Sequence, residues 1–169
     1  MVGDGELPLI QRAFGWLSDH WPEAADTRPA TLCWGDARIG NILYQDCRPA
    51  AVLDWEMATL SPPELDLGWT IFMHRFFQDL CEELGVPGMP GFLGRDDVVE
   101  AYVRAGGREP EDLDWFITYA ALRHGTIMVR VMGRQVFFGE RDAPEDREEF
   151  ILHRHSLARM LDGAYWPIG

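Results

Sequence analysis

Hydrophobic positions along this chain pass from helical spacing to short extended runs and back again. Ile10, Phe14, Leu17 and Trp21 form one stripe within Leu7 to Trp21, with Pro8 near the first turn, which predicts an amphipathic helix packing alongside the central stretch. Pro22 to Pro29 reads as a polar linker. Thr31 to Trp34 is a short extended run and Gly35 to Gly40 a loop. Ile42 to Tyr44 and Ala50 to Leu53 are predicted as two strands joined by the turn Gln45 to Pro49. A loop through Pro63 leads to a helix from about Glu64 to Leu84, with a kink near His74 as an option. The run GVPGMPGFLG, Gly85 to Gly94, is a loop, either a plain connector or a lid over the substrate side. Asp96 is expected to cap a helix running to about Ala105 and stopped by Gly106-Gly107. From about Glu111 to Val136, apolar residues populate several faces, which predicts a long buried helix with Glu111 or Asp112 in its first turn. A last helix is predicted from about Glu145 to Leu161, ending at Gly163. No repeat and no second domain are visible, so residues 1–169 are expected as one domain, a short β-hairpin on a helical bundle. The fold class is α+β, mostly helical.

The stretch from Leu32 to Asp66, LCWGDARIGNILYQDCRPAAVLDWEMATLSPPELD, concentrates the candidate chemistry. Asn41 follows Asp36 by five residues, and Asp54 ends a short apolar strand. An antiparallel hairpin carries Asn41 at the start of one strand and Asp54 at the end of the other, with Asp36 on the adjoining loop. One carboxylate that orients a hydroxyl, with an amide oxygen and a second carboxylate as hard ligands for magnesium, is the layout of phosphoryl transfer. An ordinary hairpin flanked by polar loops would show some of these residues, but not the ordered set Gly35, Asp36, Arg38, Asn41, Asp54, Glu56 and Asp66.

That set resembles the aminoglycoside-phosphotransferase family of choline-kinase-like small-molecule kinases, whose loop reads H-G-D-x-x-x-x-N and whose metal segment reads D-W-E or D-F-E. It is most similar to the subgroup with G-D-x-R-x-G-N and V-L-D-W-E-x-A-T-L-G-D-P-x-x-D-L-G-W, which includes the kinase-like portions of certain acyl-CoA dehydrogenase fusion proteins. The resemblance covers nearly the whole chain and implies the C-terminal lobe of a kinase-like fold. It implies Asp36 as catalytic base or hydroxyl-orienting group, Asn41 and Asp54 as Mg2+ ligands, and ATP as co-substrate. Glu56 is expected near the metal's water shell, and Asp66 as a support for the catalytic-loop backbone. Arg38 has two readings, a phosphate clamp or an ion pair with Glu56 or Asp66. Trp34 stands where most of the family has His, read as packing and loop support, and Ser61-Pro62-Pro63 replaces Gly-Asp-Pro.

Composition narrows the partners. A formal net charge of −13 disfavours nucleic acid and anionic membranes, while remaining compatible with a cationic substrate. No apolar run approaches a membrane span, and the acidic start of the chain lacks the order of a signal peptide. Cys33, Cys47 and Cys81 show no C-x-x-C pair and fit reduced thiols in a cytoplasmic protein. The five histidines make no metal signature. Trp69, Phe72, Phe76 and Phe77 read as core, as do Met128, Met132, Phe137 and Phe138, although these last apolar faces also suit a lipophilic substrate pocket.

All 15 basic residues are arginine, so the chain has no lysine to hold the α- and β-phosphates as kinase-type sites require. The chain is therefore expected to lack the N-terminal nucleotide lobe, to be inactive alone, and to expose an apolar surface inviting self-association. The acceptor is expected to be a hydroxylated small molecule, hydroxyacyl compounds among the options. Two other classes remain: a non-catalytic binding or regulatory module derived from a kinase-like protein, and a metal-dependent hydrolase, which lacks the ligand cluster it needs.

Overall fold

The computed structural model describes residues 6–165, so the acidic run up to Gly5 lies outside the described residues. In chain order the elements are α1 (Pro8–Asp19), a 3-10 helix (Glu23–Thr27), β1 (Thr31–Cys33), a second 3-10 helix (Ile39–Asn41), β2 (Ile42–Gln45), β3 (Arg48–Val52), β4 (Thr59–Ser61), α2 (Glu64–Glu83), α3 (Arg95–Arg104), α4 (Leu113–Phe137), a third 3-10 helix (Arg147–Phe150) and α5 (Arg154–Leu161). Helix dominates and the strands are short and antiparallel, the mostly helical α+β class. The chain divides into two compact units, Pro22–Ile117 and the segments Met1–Trp21 with Thr118–Gly169.

In the second of these units α1 packs on α5. Pro8 opens α1, where its missing N–H costs nothing. The Leu9 N–H, free of an intrahelical partner, donates to Glu148 Oε1 at 2.6 Å. The buried face is Leu9, Ile10, Ala13 and Leu17, while Phe14 and Trp21 are 58% and 51% exposed. The stripe read from the sequence was thus rotated, and the helix's neighbour is α5. The last predicted helix is also broken. Phe150, Ile151 and His153 are all buried, and one continuous helix would point them in divergent directions. A 3-10 helix capped by the Asp146 side chain, followed by a restart at Arg154, lets all three face inward.

In the unit Pro22–Ile117, β2 and β3 pair antiparallel, with Ile42 opposite Val52 and a bulge between Leu43 and Tyr44. Their loop is only Asp46-Cys47, both in left-handed backbone at φ 52° and 61°, the pattern of a type I′ hairpin and tighter than the five-residue turn expected. The predicted loop after Asp54 contains a strand, β4, which pairs with β1. Short, solvent-facing strands of this kind have no periodicity long enough to betray them.

Helix α2 runs unbroken past His74. Its Gln78 Oε1 accepts the Met89 N–H at 2.8 Å, and His74 Nε2 donates to Met89 O, so the Gly85–Gly94 loop is tied to α2. Asp96 lies inside the first turn of α3, and Gly94 takes the cap position. Glu111 and Asp112 precede α4, drawn out of its first turn by the buried Arg28 guanidinium, which also pairs with Glu64 at 3.5 Å. Trp69, Phe72 and Phe76 are core, whereas Phe77 is half-exposed. Gly68 meets the α4 backbone so closely that a Cβ there would lie 2.8 Å from the Phe116 carbonyl carbon.

Candidate active site

The loop from Trp34 to Asn41 is held by one face of α2. Asp66 accepts the backbone N–H of Trp34 on Oδ2 at 2.6 Å and that of Gly35 on Oδ1 at 2.8 Å. One turn on, the Trp69 indole N–H donates to Asp36 Oδ1 at 2.7 Å, and Thr70 Oγ1 donates to Ala37 O at 2.7 Å. Positions 66, 69 and 70 are i, i+3 and i+4, so they share a face and engage loop residues 34 to 37 in order. Glycine is required at position 35. Its φ is +90°, and a Cβ would lie 2.1 Å from Met57 O, so the loop passes against the segment that follows Asp54.

Asp36 is buried, and its carboxylate receives three donors. Trp69 serves Oδ1; Asn41 Nδ2 at 2.6 Å and Arg38 Nε at 3.0 Å both serve Oδ2. Neither Glu56 nor Asp66 pairs with Arg38, as the sequence reading had offered; the ion pair is with Asp36 itself, two residues back on the same loop. Asn41 Nδ2 also reaches Asp36 O at 3.2 Å. With its nitrogen committed to Asp36, Asn41 presents its carbonyl oxygen for other partners.

Asp54 is exposed and left-handed, at φ 62°, two residues past the end of β3. A non-glycine residue in that region costs some backbone energy, least for aspartate and asparagine, and such residues gather at functional sites. The conformation is held from both sides. Leu53 N–H donates to Asn41 O at 2.9 Å, which brings Asn41 and Asp54 to one end of the hairpin. The Trp34 indole N–H is shared between Leu53 O at 2.7 Å and Asp54 O at 3.2 Å. Trp34, the departure from the family pattern, therefore ties the segment carrying Asp54 to the loop carrying Asp36. Glu56 is exposed on the turn closed by Ala58 N–H on Trp55 O.

Among the described residues there is no group of three or more His, Cys, Asp or Glu side chains that could hold a metal. An amide oxygen and one carboxylate are nonetheless hard donors of the kind magnesium takes when water and phosphate complete its shell. The sequence reading missed Trp69 and Thr70, treating Trp69 as core alone. The signal was available in their spacing from Asp66.

Residues 3–116 match the model of the phosphotransferase enzyme family. Among curated relatives, acyl-CoA dehydrogenase family member 11 of Rattus norvegicus is 26% identical over 145 residues, 75% of this chain and 18% of that protein. The Homo sapiens protein of that name is 29% identical over 60% of this chain and 13% of its own length. Acyl-CoA dehydrogenase family member 10 of Mus musculus is 35% identical over 48% of this chain and 8% of its own. The chain thus spans under a fifth of the length of these relatives. A solved structure of a putative aminoglycoside phosphotransferase from Ralstonia eutropha JMP134 superposes with a TM-score of 0.66 at 22% identity, covering 97% of this chain and 50% of that one. At that identity the likeness shows the fold alone, which is kinase-like.

Proposed function

Because this chain belongs to the phosphotransferase enzyme family, we propose that it carries the catalytic half of an ATP-dependent transfer of a phosphoryl group to a hydroxyl of a small molecule. The observation that carries the reading is the three-donor clasp on the buried Asp36 carboxylate, beside a hairpin end that presents Asn41 and Asp54. Asp36 orients the acceptor hydroxyl and takes its proton as the oxygen attacks the γ-phosphorus and the bond to ADP breaks. Asn41 and Asp54 would hold magnesium, which supplies charge neutralisation at the phosphates when bound. Arg38 offers its remaining guanidinium N–H groups to the transferred phosphoryl group. Asp66 keeps the loop backbone in place, and Glu56 would serve the water held by a bound magnesium.

With arginine as its only cation besides histidine, the chain has no lysine for the far side of the nucleotide, and other residues are needed there. They would cover the β1–β4 ribbon, where the cross-strand pair Leu32 and Leu60 is 67% and 72% exposed. Uncovered, that ribbon should make the chain self-associate, which light scattering would read. The relatives' names carry acyl-CoA and the solved neighbour's title carries aminoglycoside, so hydroxyacyl compounds and aminoglycosides both belong in the panel of acceptors.

The test is calorimetry and turnover with Mg-ATP on the active assembled form. Asp36→Asn should spare nucleotide binding and lower kcat by about 10²–10⁴-fold. Asp54→Ala should remove most of the magnesium-dependent binding. Equal loss of binding in both variants would sink these roles. Magnesium-independent binding with no transfer to any acceptor would favour a binding module. Robust Asp36-dependent turnover by the chain alone would overturn the need for a second half.

A further inference from the structure

We propose that Trp69 is a positioning residue for Asp36, and that it marks Oδ1 as the oxygen that receives the acceptor proton. The proposal rests on the phosphoryl-transfer reading above and goes beyond it by naming the atom and the side chain that aims it. A carboxylate turns about its Cβ–Cγ bond with little resistance, so a base whose work depends on direction needs both oxygens held. Here Oδ2 accepts from two donors, Asn41 Nδ2 and Arg38 Nε, which uses both of its in-plane lone pairs. Oδ1 accepts from Trp69 Nε1 at 2.7 Å, which leaves it one lone pair in the plane of the carboxylate.

An indole suits this task because it donates and cannot accept, so it fixes a carboxylate without competing for the proton. Its position is rigid. Trp69 is 3% exposed, its ring lies 6.3 Å from that of Phe72, and the preceding Gly68 is seated against the backbone of α4. Asp66 and Thr70 fasten the flanking loop residues from the same helix face, so the distance from α2 to the loop is set independently of Trp69 itself. Replacing the indole therefore removes one donor without releasing the loop. In the transfer step the acceptor O–H bond breaks, the new O–P bond forms, the bond to ADP breaks with its electron pair leaving on ADP, and the proton ends on Oδ1.

Two measurements test this. The first needs no activity: the indole N–H of Trp69, identified in a 15N-labelled sample by its disappearance in Trp69→Phe, should resonate downfield as a charge-assisted donor. It should move upfield in Asp36→Asn, while Phe72→Leu, which disturbs the same packing, leaves its dependence on Asp36 intact. A Trp69 resonance indifferent to Asp36→Asn overturns the proposal whatever becomes of Trp69→Phe. The second is kinetic, on the assembled active form. Trp69→Phe should lower kcat by about tenfold with the KM for Mg-ATP unchanged within about twofold, as expected when one donor to the reacting carboxylate is lost. Phe150→Leu, at a buried residue of the other unit, should lower Tm with kcat kept. If Asp36→Asn abolishes transfer while Trp69→Phe keeps full kcat, the positioning role fails and the phosphotransferase reading stands. Should Asp36→Asn itself transfer normally, the reading of the site fails with it.

Discussion

All five non-glycine residues in left-handed backbone among the described residues, Asp46, Cys47, Asp54, Leu93 and Asp112, fall in the unit Pro22–Ile117. So do the buried charge-bearing side chains Arg28, Asp36 and Glu64. The other unit buries Thr118, His124 and His153 together with Phe150, Ile151 and Leu157. In one region, hydrogen bonds and ion pairs from residues distant in sequence hold the segment of Asp54 and the buried charge-bearing side chains; the other is built mainly from helices and apolar contact. Strain and buried charge cost stability, and they collect where chemistry needs fixed polar groups.

The comparison breaks or sharpens at four points. Arg28 has a side chain 4% exposed and faces Glu64, whose own side chain is 1% exposed. Arg28→Ala should cost about 3 kcal/mol, because it takes the buried cation from Glu64 and leaves that carboxylate only the half-exposed Arg108 at 3.4 Å and the Glu111 N–H at 3.3 Å, and Arg28→Met with Glu64→Leu should recover most of it. Urea unfolding reads both; a loss under about 1 kcal/mol in the single variant would show that buried charge is not what stresses this unit. Asp66→Ala leaves the N–H groups of Trp34 and Gly35 without their acceptor, and should cost about 2–4 kcal/mol. Hydrogen exchange should accelerate at those two amides first, and uniform acceleration across the chain would contradict a local clasp.

In the other unit, His153 bridges by Nε2–H to Ala121 O at 2.8 Å and by Nδ1 to His124 Nδ1 at 3.4 Å. Nε2 donates to the carbonyl, and between the two Nδ1 atoms one ring donates to the other. His153→Phe should lower stability by about 1–3 kcal/mol and leave Mg-ATP affinity unchanged, so an equal fall in both would erase the distinction between the units. The smallest effect concerns Cys33, 1% exposed beside the loop that carries Asp36. Burial pushes its thiol above the ordinary 9.0, the Asp66 charge adds to this, and hydrogen bonds with Thr31 and Ser61 oppose it. The folded state then binds the proton more tightly than the unfolded one. Stability is whole below pH 9.0 and declines as pH rises through the folded value. Cys33→Ala should flatten that alkaline decline in urea midpoints; an identical decline in both proteins would assign it elsewhere.

Legibility from the sequence differs within single elements. Helix α2 was read within a residue of its observed start and end because its apolar spacing and the Pro62-Pro63 entry are local signals. Strand β4 was not, since Thr59–Ser61 becomes a strand only by pairing with Thr31–Cys33, with Thr31 opposite Ser61 across 30 residues of sequence. Phe14 and Trp21 share a stripe with Ile10 and Leu17, yet only the latter two are buried, because α5 decides which side of α1 is inside. The final helix broke for the same kind of reason, at residues that are buried by neighbours remote in sequence.

The chain order by itself determined which groups are available: Asp36 with Asn41 five residues on, Asp54 at the close of an apolar strand, Asp66 in the first turn of a helix, and a family pattern in their succession. These are properties of spacing, and spacing is covalent. Only the tertiary structure decided what each group faces. Arg38 turned to Asp36, Trp34 took the carbonyls of Leu53 and Asp54, and Trp69, separated from Asp36 by 33 residues, became a donor to its carboxylate. Such partners are chosen by how a helix face meets a loop, and burial then makes the choice binding, because a buried carboxylate without donors is costly.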